Sequence, residues 1–237
     1  MPGAQGFAPL GENWVLRAVP RDDRDRLRVR LEPVRMEHRE IAYDAEEPIR
    51  YVYFPLTGMF SILAIADPRR TIEVAVVGNE GVVGLPVFLG AADTPGRAVC
   101  QIPADTLRIP ADAFREEVRS SGPLQGALRR YAQGLFNQTA QTAICNNTHP
   151  IEGRCARWLL MTHDRVGADT FVATQETLAR MLGVQRSTVN LAAGKLQDAG
   201  LIGYARGRIT VRDRAGLEAA ACGCYRIIHR AFARLLL

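Results

Sequence analysis

Several things are scarce in this sequence. No apolar run reaches the ~18–20 residues of a membrane-spanning helix. The stretch MPGAQGFAPLGENW has no basic segment followed by an apolar one, so neither a membrane protein nor an exported one is expected. Cysteines are few, odd in number and dispersed (Cys100, Cys145, Cys155, Cys222 and Cys224), which excludes the disulfide framework of a small secreted domain and points to the reducing cytoplasm. Lysine is almost missing: Lys195 stands alone among 30 basic residues, a bias that genome composition produces by itself. There is no G-x-S-x-G, no GK[ST] phosphate loop and no H-E-x-x-H, and His38, His149, His163 and His229 show no metal-ligand spacing. No enzyme, no cofactor and no metal are expected.

What is present is an ordinary globular composition, 47% hydrophobic and 23% charged, over 237 residues, enough for two small domains. The charge is divided unevenly. Residues 150–237 hold 13 Lys+Arg and 7 Asp+Glu, a net of +6, whereas residues 1–149 hold 17 and 18, a net of −1, giving the total of +5. A near-neutral module joined to a basic one suggests that the second meets a polyanion.

The texture of the chain divides it at two points. Up to about residue 110 the apolar residues alternate in short runs: Arg28–Arg35, Tyr51–Phe54, Phe60–Ile65, Thr71–Val77, Ala98–Ile102 and Thr106–Ile109. They are separated by turn signals and a glycine-rich stretch from Gly78 to Gly96, so a small β-roll is expected over 1–110. From Ala111 the pattern is helical. Leu124, Leu128, Tyr131, Leu135, Gln138, Thr142 and Cys145 recur at spacings of 4, 3, 4, 3, 4 and 3. Such a heptad seam favours self-pairing of two helices, with Leu124, Leu128, Tyr131 and Leu135 as the expected dimer interface in a segment 111–149 that ends at the His149-Pro150 hinge. A short helix, Ile151–His163, opens the basic module of 150–237, and a helix or helix pair from Arg214 closes it.

Residues 174–202, TQETLARMLGVQRSTVNLAAGKLQDAGLI, carry the strongest motif. Thr174 is placed to cap a first helix held by Leu178 and Leu182, Gly183 and Val184 form the corner, and Arg186–Asp198 resumes helical spacing with Val189, Ala193 and Leu196 inward. The pattern predicts a helix-turn-helix. LIGYARGRITV, Leu201–Val211, follows as a hairpin and makes the unit a winged one. Gln175, Gln185, Arg186, Ser187, Thr188 and Asn190 are the candidate DNA contacts. Arg206 and Arg208 at the wing are candidates for phosphate.

With PLTGMFSILAI, GNEGVVGLPVFLG and HPIEGRCARWLLMTHDRVG beside that motif, roughly residues 25–215 resemble the Crp/Fnr family of bacterial transcription regulators. The resemblance implies an α+β chain: a cyclic-nucleotide-binding-like β-roll, a long dimerisation helix and a C-terminal winged helix-turn-helix. It also implies homodimers on two-fold symmetric double-stranded DNA that recruit or block RNA polymerase. The family's ligand chemistry is only partly matched. Where cyclic-nucleotide binders follow a glycine with a glutamate that accepts from the ribose, Gly84 is followed by Leu85, and the cassette arginine is displaced by one position to Arg97, in a strand where one step reverses the face. Tight binding of cyclic AMP or GMP is therefore not expected, and Arg97 is left as a weak candidate for another anion. An iron–sulfur cluster near the N-terminus is excluded because no cysteine precedes Cys100, and His38 is no expected haem ligand. Cys222 and Cys224 would point ~200° apart on a continuous helix and are expected to be packing thiols unless the helix breaks at Gly223. The alternative to a DNA-binding protein is a degenerate regulator whose helical module binds protein.

Overall fold

The computed structural model describes residues 13–67 and 70–236. Two short helices precede the sheets. Helix α1 (Trp14–Arg17) is capped by the fully buried Asn13, whose side-chain oxygen accepts from the backbone of Val15 and Leu16 while its Nδ2 donates to Pro55 O at 3.0 Å and Gly81 O at 2.8 Å. Helix α2 (Arg21–Arg28) has Asp22 and Asp23 in its first turn, where carboxylates complement the helix dipole. The strand expected from Arg28 therefore begins only at Glu32. With Leu27 its sole buried residue, α2 carries too little apolar periodicity to be read as a helix.

Seven strands then form the roll: β1 (Glu32–Met36), β2 (Ile41–Tyr43), β3 (Tyr51–Pro55), β4 (Met59–Asp67), β5 (Arg70–Val77), β6 (Arg97–Ile102) and β7 (Ala104–Pro110). They make two antiparallel sheets, in the orders β1-β7-β3 and β2-β6-β4-β5. The alternation read in the sequence puts Val52, Phe54, Phe60, Ala98, Cys100 and Ile109 between the sheets, all without solvent exposure. The glycine-rich stretch holds one turn of helix, α3 (Leu85–Phe88), entered through Gly84 at φ 102°, a conformation that favours glycine.

Helix α4 (Ala111–Ser120) is followed by the 27-residue helix α5 (Gly122–Thr148), restarted by Ser121, whose hydroxyl accepts from Leu124 N. The heptad seam of α5 is turned inward, a correction to its expected use as the dimer interface. Leu124, Leu128 and Tyr131 are buried within the single chain and Leu135 is half-buried against the same core. Tyr131 donates to Val82 O at 3.2 Å and stacks on Phe232 at 6.1 Å between centroids. A Cβ on Gly81 would lie 2.1 Å from the Tyr131 ring, so glycine is what lets α5 seat on the roll. The polar half of the seam has partners too. Gln138 accepts from Val76 N at 2.8 Å and donates to Val76 O at 3.1 Å, satisfying backbone groups of β5, the edge of its sheet. Thr142 meets Arg157, and Cys145 meets Cys222.

The C-terminal module comprises α6 (Ile151–Val166), β8 (Thr170–Val172), α7 (Gln175–Leu182), α8 (Arg186–Asp198), β9 (Ile202–Ala205), β10 (Arg208–Val211), α9 (Arg214–Ala220) and α10 (Cys224–Leu236). The last two are separate helices, so Cys222 lies in a break and the constraint of a continuous helix does not hold.

Two buried carboxylates join the modules. Glu80 pairs with Arg165 of α6 at 2.7 Å, both nearly inaccessible. Glu73 of β5 accepts from Trp158 Nε1 at 2.9 Å and from Ser61 Oγ at 2.5 Å. Burial pushes the Glu73 carboxyl from the ordinary 4.5 up to about 7, against the two hydrogen bonds and the positive charges of Arg157 and Arg165, which pull the other way. Because the unfolded chain ionises this group at lower pH than the folded one, folding stability from Glu73 falls as pH rises from 4.5 to about 7 and is constant beyond either limit. Glu73→Gln keeps an acceptor for Trp158 and removes that decline. Chemical denaturation at several pH values should show the variant gaining on the wild type across this window, by ~3 kcal/mol at neutral pH.

Candidate nucleic-acid interface

The corner of the helix-turn-helix is built by local chemistry. Thr174 Oγ1 accepts from Thr177 N at 3.1 Å and starts α7. Gly183 at φ 65° ends α7, and Val184 N returns to Ala179 O at 3.0 Å. Leu178, Leu182, Val189, Ala193 and Leu196 are buried between α7 and α8, as their spacing predicts. The single lysine acts as a brace: Lys195 Nζ reaches Glu152 Oε1 of α6 at 2.5 Å, and that bond holds the Glu152 carboxyl below its ordinary value.

Three of the predicted contact residues form a connected group. Gln175, in the first turn of α7, donates from Nε2 to Asn190 Oδ1 at 2.6 Å and accepts from Arg186 Nε at 3.2 Å. Using Nε in this way leaves both terminal amino groups of the Arg186 fork to donate outward. Gln185, the N-cap residue of α8, and Ser187 are exposed, whereas Thr188 is half-buried beneath them. Arg206 and Gly207, at φ 50° and 72°, form the tight turn of the wing, and Arg208 is the first residue of β10; both arginines are exposed.

The sequence reading missed two residues. Leu191 is 69% exposed on the recognition helix, one turn from Ser187 on the same face. It falls off the buried face of Val189, Ala193 and Leu196, so the periodicity that marks the core does not single it out. Arg39, from the β1–β2 turn of the roll, lines one cleft of about 540 Å³ with Gln175, Arg186, Tyr204 and Arg206. Only tertiary structure brings it there.

Arg97 is not free to hold an anion. It pairs in bidentate fashion with Asp44, Nε–Oδ1 at 2.7 Å and Nη2–Oδ2 at 2.9 Å, and its guanidinium holds the Asp44 carboxyl below the usual range. His38 Nδ1 donates to Gln101 O at 2.8 Å, a structural contact of the roll.

Residues 153–220 match the Crp-like helix-turn-helix domain family. The whole fold is similar to that of several solved regulators. FixK2 from Bradyrhizobium japonicum superposes with a TM-score of 0.68 at 18% identity, covering 81% of this chain and 98% of that one. The c-di-GMP-responsive global regulator CLP of Xanthomonas campestris gives 0.65 at 17% identity, covering 81% and 99%. A CRP-family transcriptional regulator from Thermus thermophilus gives 0.65 at 20%, covering 79% and 96%. No curated protein matches the sequence significantly. The chain thus carries a Crp-like helix-turn-helix domain on the fold of the Crp/Fnr regulators, with a cyclic-nucleotide-binding-like roll before it. Among the described residues no helix is long and apolar enough to cross a membrane.

Proposed function

We propose that this chain is a cytoplasmic transcription regulator of the Crp/Fnr type that binds two-fold symmetric double-stranded DNA as a homodimer and acts on RNA polymerase from there. The observation that carries the reading is the exposed Gln175–Arg186–Asn190 group at the N-terminal turn of α8, flanked by Arg206 and Arg208 in the wing. A recognition helix meets base edges with its N-terminal residues while wing cations hold phosphate. On the same face Leu191 is placed to pack on a thymine methyl. Binding to duplex DNA measured against salt tests the proposal: log K should fall steeply with log[salt], by ~0.9 per phosphate contacted. A shallow slope would favour the protein-binding alternative.

Control by cyclic AMP or GMP is not part of the proposal. Leu85 is buried where a ribose acceptor would be needed, and Arg97 already has its carboxylate partner. A ribose hydroxyl buried without a partner weakens binding by ~1–3 kcal/mol, about tenfold to a hundredfold. Calorimetry should show no binding of either nucleotide in the micromolar range. A micromolar isotherm would overturn this part of the reading.

A further inference from the structure

Four potential metal ligands converge where the two modules meet: Cys145, His149, Cys222 and Cys224. Their ligand atoms all lie within 4.8 Å of one another. Cys145 Sγ and Cys222 Sγ are 3.4 Å apart, a non-bonded distance, and Cys224 Sγ lies 3.4 Å from His149 Nδ1. The set is assembled from distant parts of the chain. Cys145 in the last turn of α5 and His149 at its C-cap are four residues apart and so share one face. Cys222 lies in the break between α9 and α10, and Cys224 is the first residue of α10. The break is held in place by Cys222 N donating to Gly153 O at 3.2 Å, and a Cβ on Gly153 would stand 3.2 Å from that same nitrogen.

We propose that these four residues bind a single tetrahedral divalent ion of the zinc class, fastening the end of α5 to the C-terminal helices. The dimensions suit one ion. Bonds of ~2.3 Å to sulfur and ~2.0 Å to nitrogen place tetrahedral ligands ~3.8 Å (S to S) and ~3.5 Å (S to N) apart. An iron–sulfur cluster interposes several irons and sulfides between its thiolates and needs a wider cage. Three thiolates and an imidazole are a soft donor set that selects zinc over magnesium or calcium. Cys145 and Cys224 are buried while Cys222 and His149 are half-buried, so the cage is shielded yet open to an entering ion.

The surroundings fit the charge. A divalent ion with three thiolates and a neutral imidazole has one net negative charge. Two buried arginines, Arg154 and Arg157, act electrostatically on the Cys145 thiol or on Cys222. Arg157 donates to Thr142 Oγ1 at 3.3 Å and Arg154 to Asn146 Oδ1 at 2.9 Å, but the Nε of each has no hydrogen-bond partner and, among the described residues, neither forms an ion pair. Buried cations ordinarily have a counter-charge; Arg157 feels the buried Glu73 carboxyl, and the loaded site supplies a further negative charge to both arginines. Gln141 Nε2, 3.1 Å from Cys224 Sγ, donates to the same sulfur from the outer shell.

The test is cobalt(II) titration of the reduced full-length protein. One equivalent per chain should generate the intense visible bands of tetrahedral cobalt with thiolate-to-metal charge transfer, and zinc should abolish them by displacement. Cys222→Ser and Cys224→Ser should each weaken cobalt binding at least tenfold, and Cys100→Ser, whose thiol lies in the roll, should leave it unchanged. Zinc should raise the melting temperature of the wild type and of Cys100→Ser but not of Cys222→Ser, and circular dichroism of that variant without metal checks that it is folded. A wild-type protein that gives no tetrahedral cobalt spectrum, or a folded Cys222→Ser that gives the same spectrum as the wild type, would overturn the site. So would a Cys145–Cys222 disulfide in the purified protein that, once reduced, takes up no metal. These outcomes do not depend on DNA binding, so failure here leaves the proposed function standing, and the reverse.

Discussion

Phe136→Asp is expected to yield a folded monomer whose affinity for its DNA site is lower by ~10²–10⁴-fold, the loss that follows when two linked binding modules become one. Phe136 is 69% exposed on α5 and Ile144 is 53% exposed two turns later. With Gln133, Ala140, Ala143 and Asn147, Phe136 marks a second stripe at positions 133, 136, 140, 143 and 147, again spaced 3, 4, 3 and 4, with Ile144 beside it, on the side of the helix that faces away from the roll. We propose that this stripe, and not the one containing Leu128, pairs with its copy in a second chain. Small alanines let the two helices approach, and an aspartate at 136 would face its twin across the dimer axis in a desolvated contact. Leu128→Asp should act differently. Leu128 is fully buried inside the chain, so a carboxylate there destabilises the fold itself, by more than ~3 kcal/mol, rather than separating folded subunits. Sedimentation with circular dichroism distinguishes the two, and a Phe136→Asp protein that remains dimeric would sink the reassigned interface.

Arg186→Ala is expected to reduce affinity for the specific site by ~1–3 kcal/mol with little change on scrambled DNA. A guanidinium whose Nε is held by Gln175 presents its two terminal amino groups together, which suits guanine O6 and N7. The half-site should therefore contain an obligatory G. Ser187, beside it, is too short for a comparable bidentate contact and should discriminate weakly. Gln175→Ala should reproduce part of the Arg186→Ala loss, because it frees the fork without removing it. Arg206→Ala and Arg208→Ala should instead weaken all sequences alike and reduce the salt slope by ~1 each. Titrations on specific and scrambled duplexes at two salt concentrations separate these outcomes. If Arg186→Ala weakens both duplexes equally, Arg186 touches only phosphate.

The helix-turn-helix was legible residue by residue because its signals are local: a threonine cap at Thr174, a left-handed glycine at Gly183 and apolar residues one turn apart each act within a few positions. The strands of the roll were legible for the same reason, through an alternation of period two. Helix α2 was not, since a highly charged segment with one buried leucine carries almost no periodic signal.

The heptad of α5 marks where the limit lies. Its periodicity determined that one face of the helix would be covered, but a stripe of Leu124, Leu128 and Tyr131 does not state by what, and the roll, the glycine at 81 and Phe232 of α10 decided it. The metal-ligand set is the extreme case. Cys145-x₃-His149 and Cys222-x-Cys224 each lack the spacing of a familiar site, and only folding brings together residues 77 positions apart. The sequence by itself therefore determined most strands of the roll, the long helix after them, the winged helix-turn-helix and their order, since those follow from short-range backbone and capping energetics. The partner of each face, the pairing of Arg97 with Asp44, the approach of Arg39 to the recognition helix and the four-ligand cluster were decided by tertiary packing, because such contacts depend on long-range closure that no local pattern encodes.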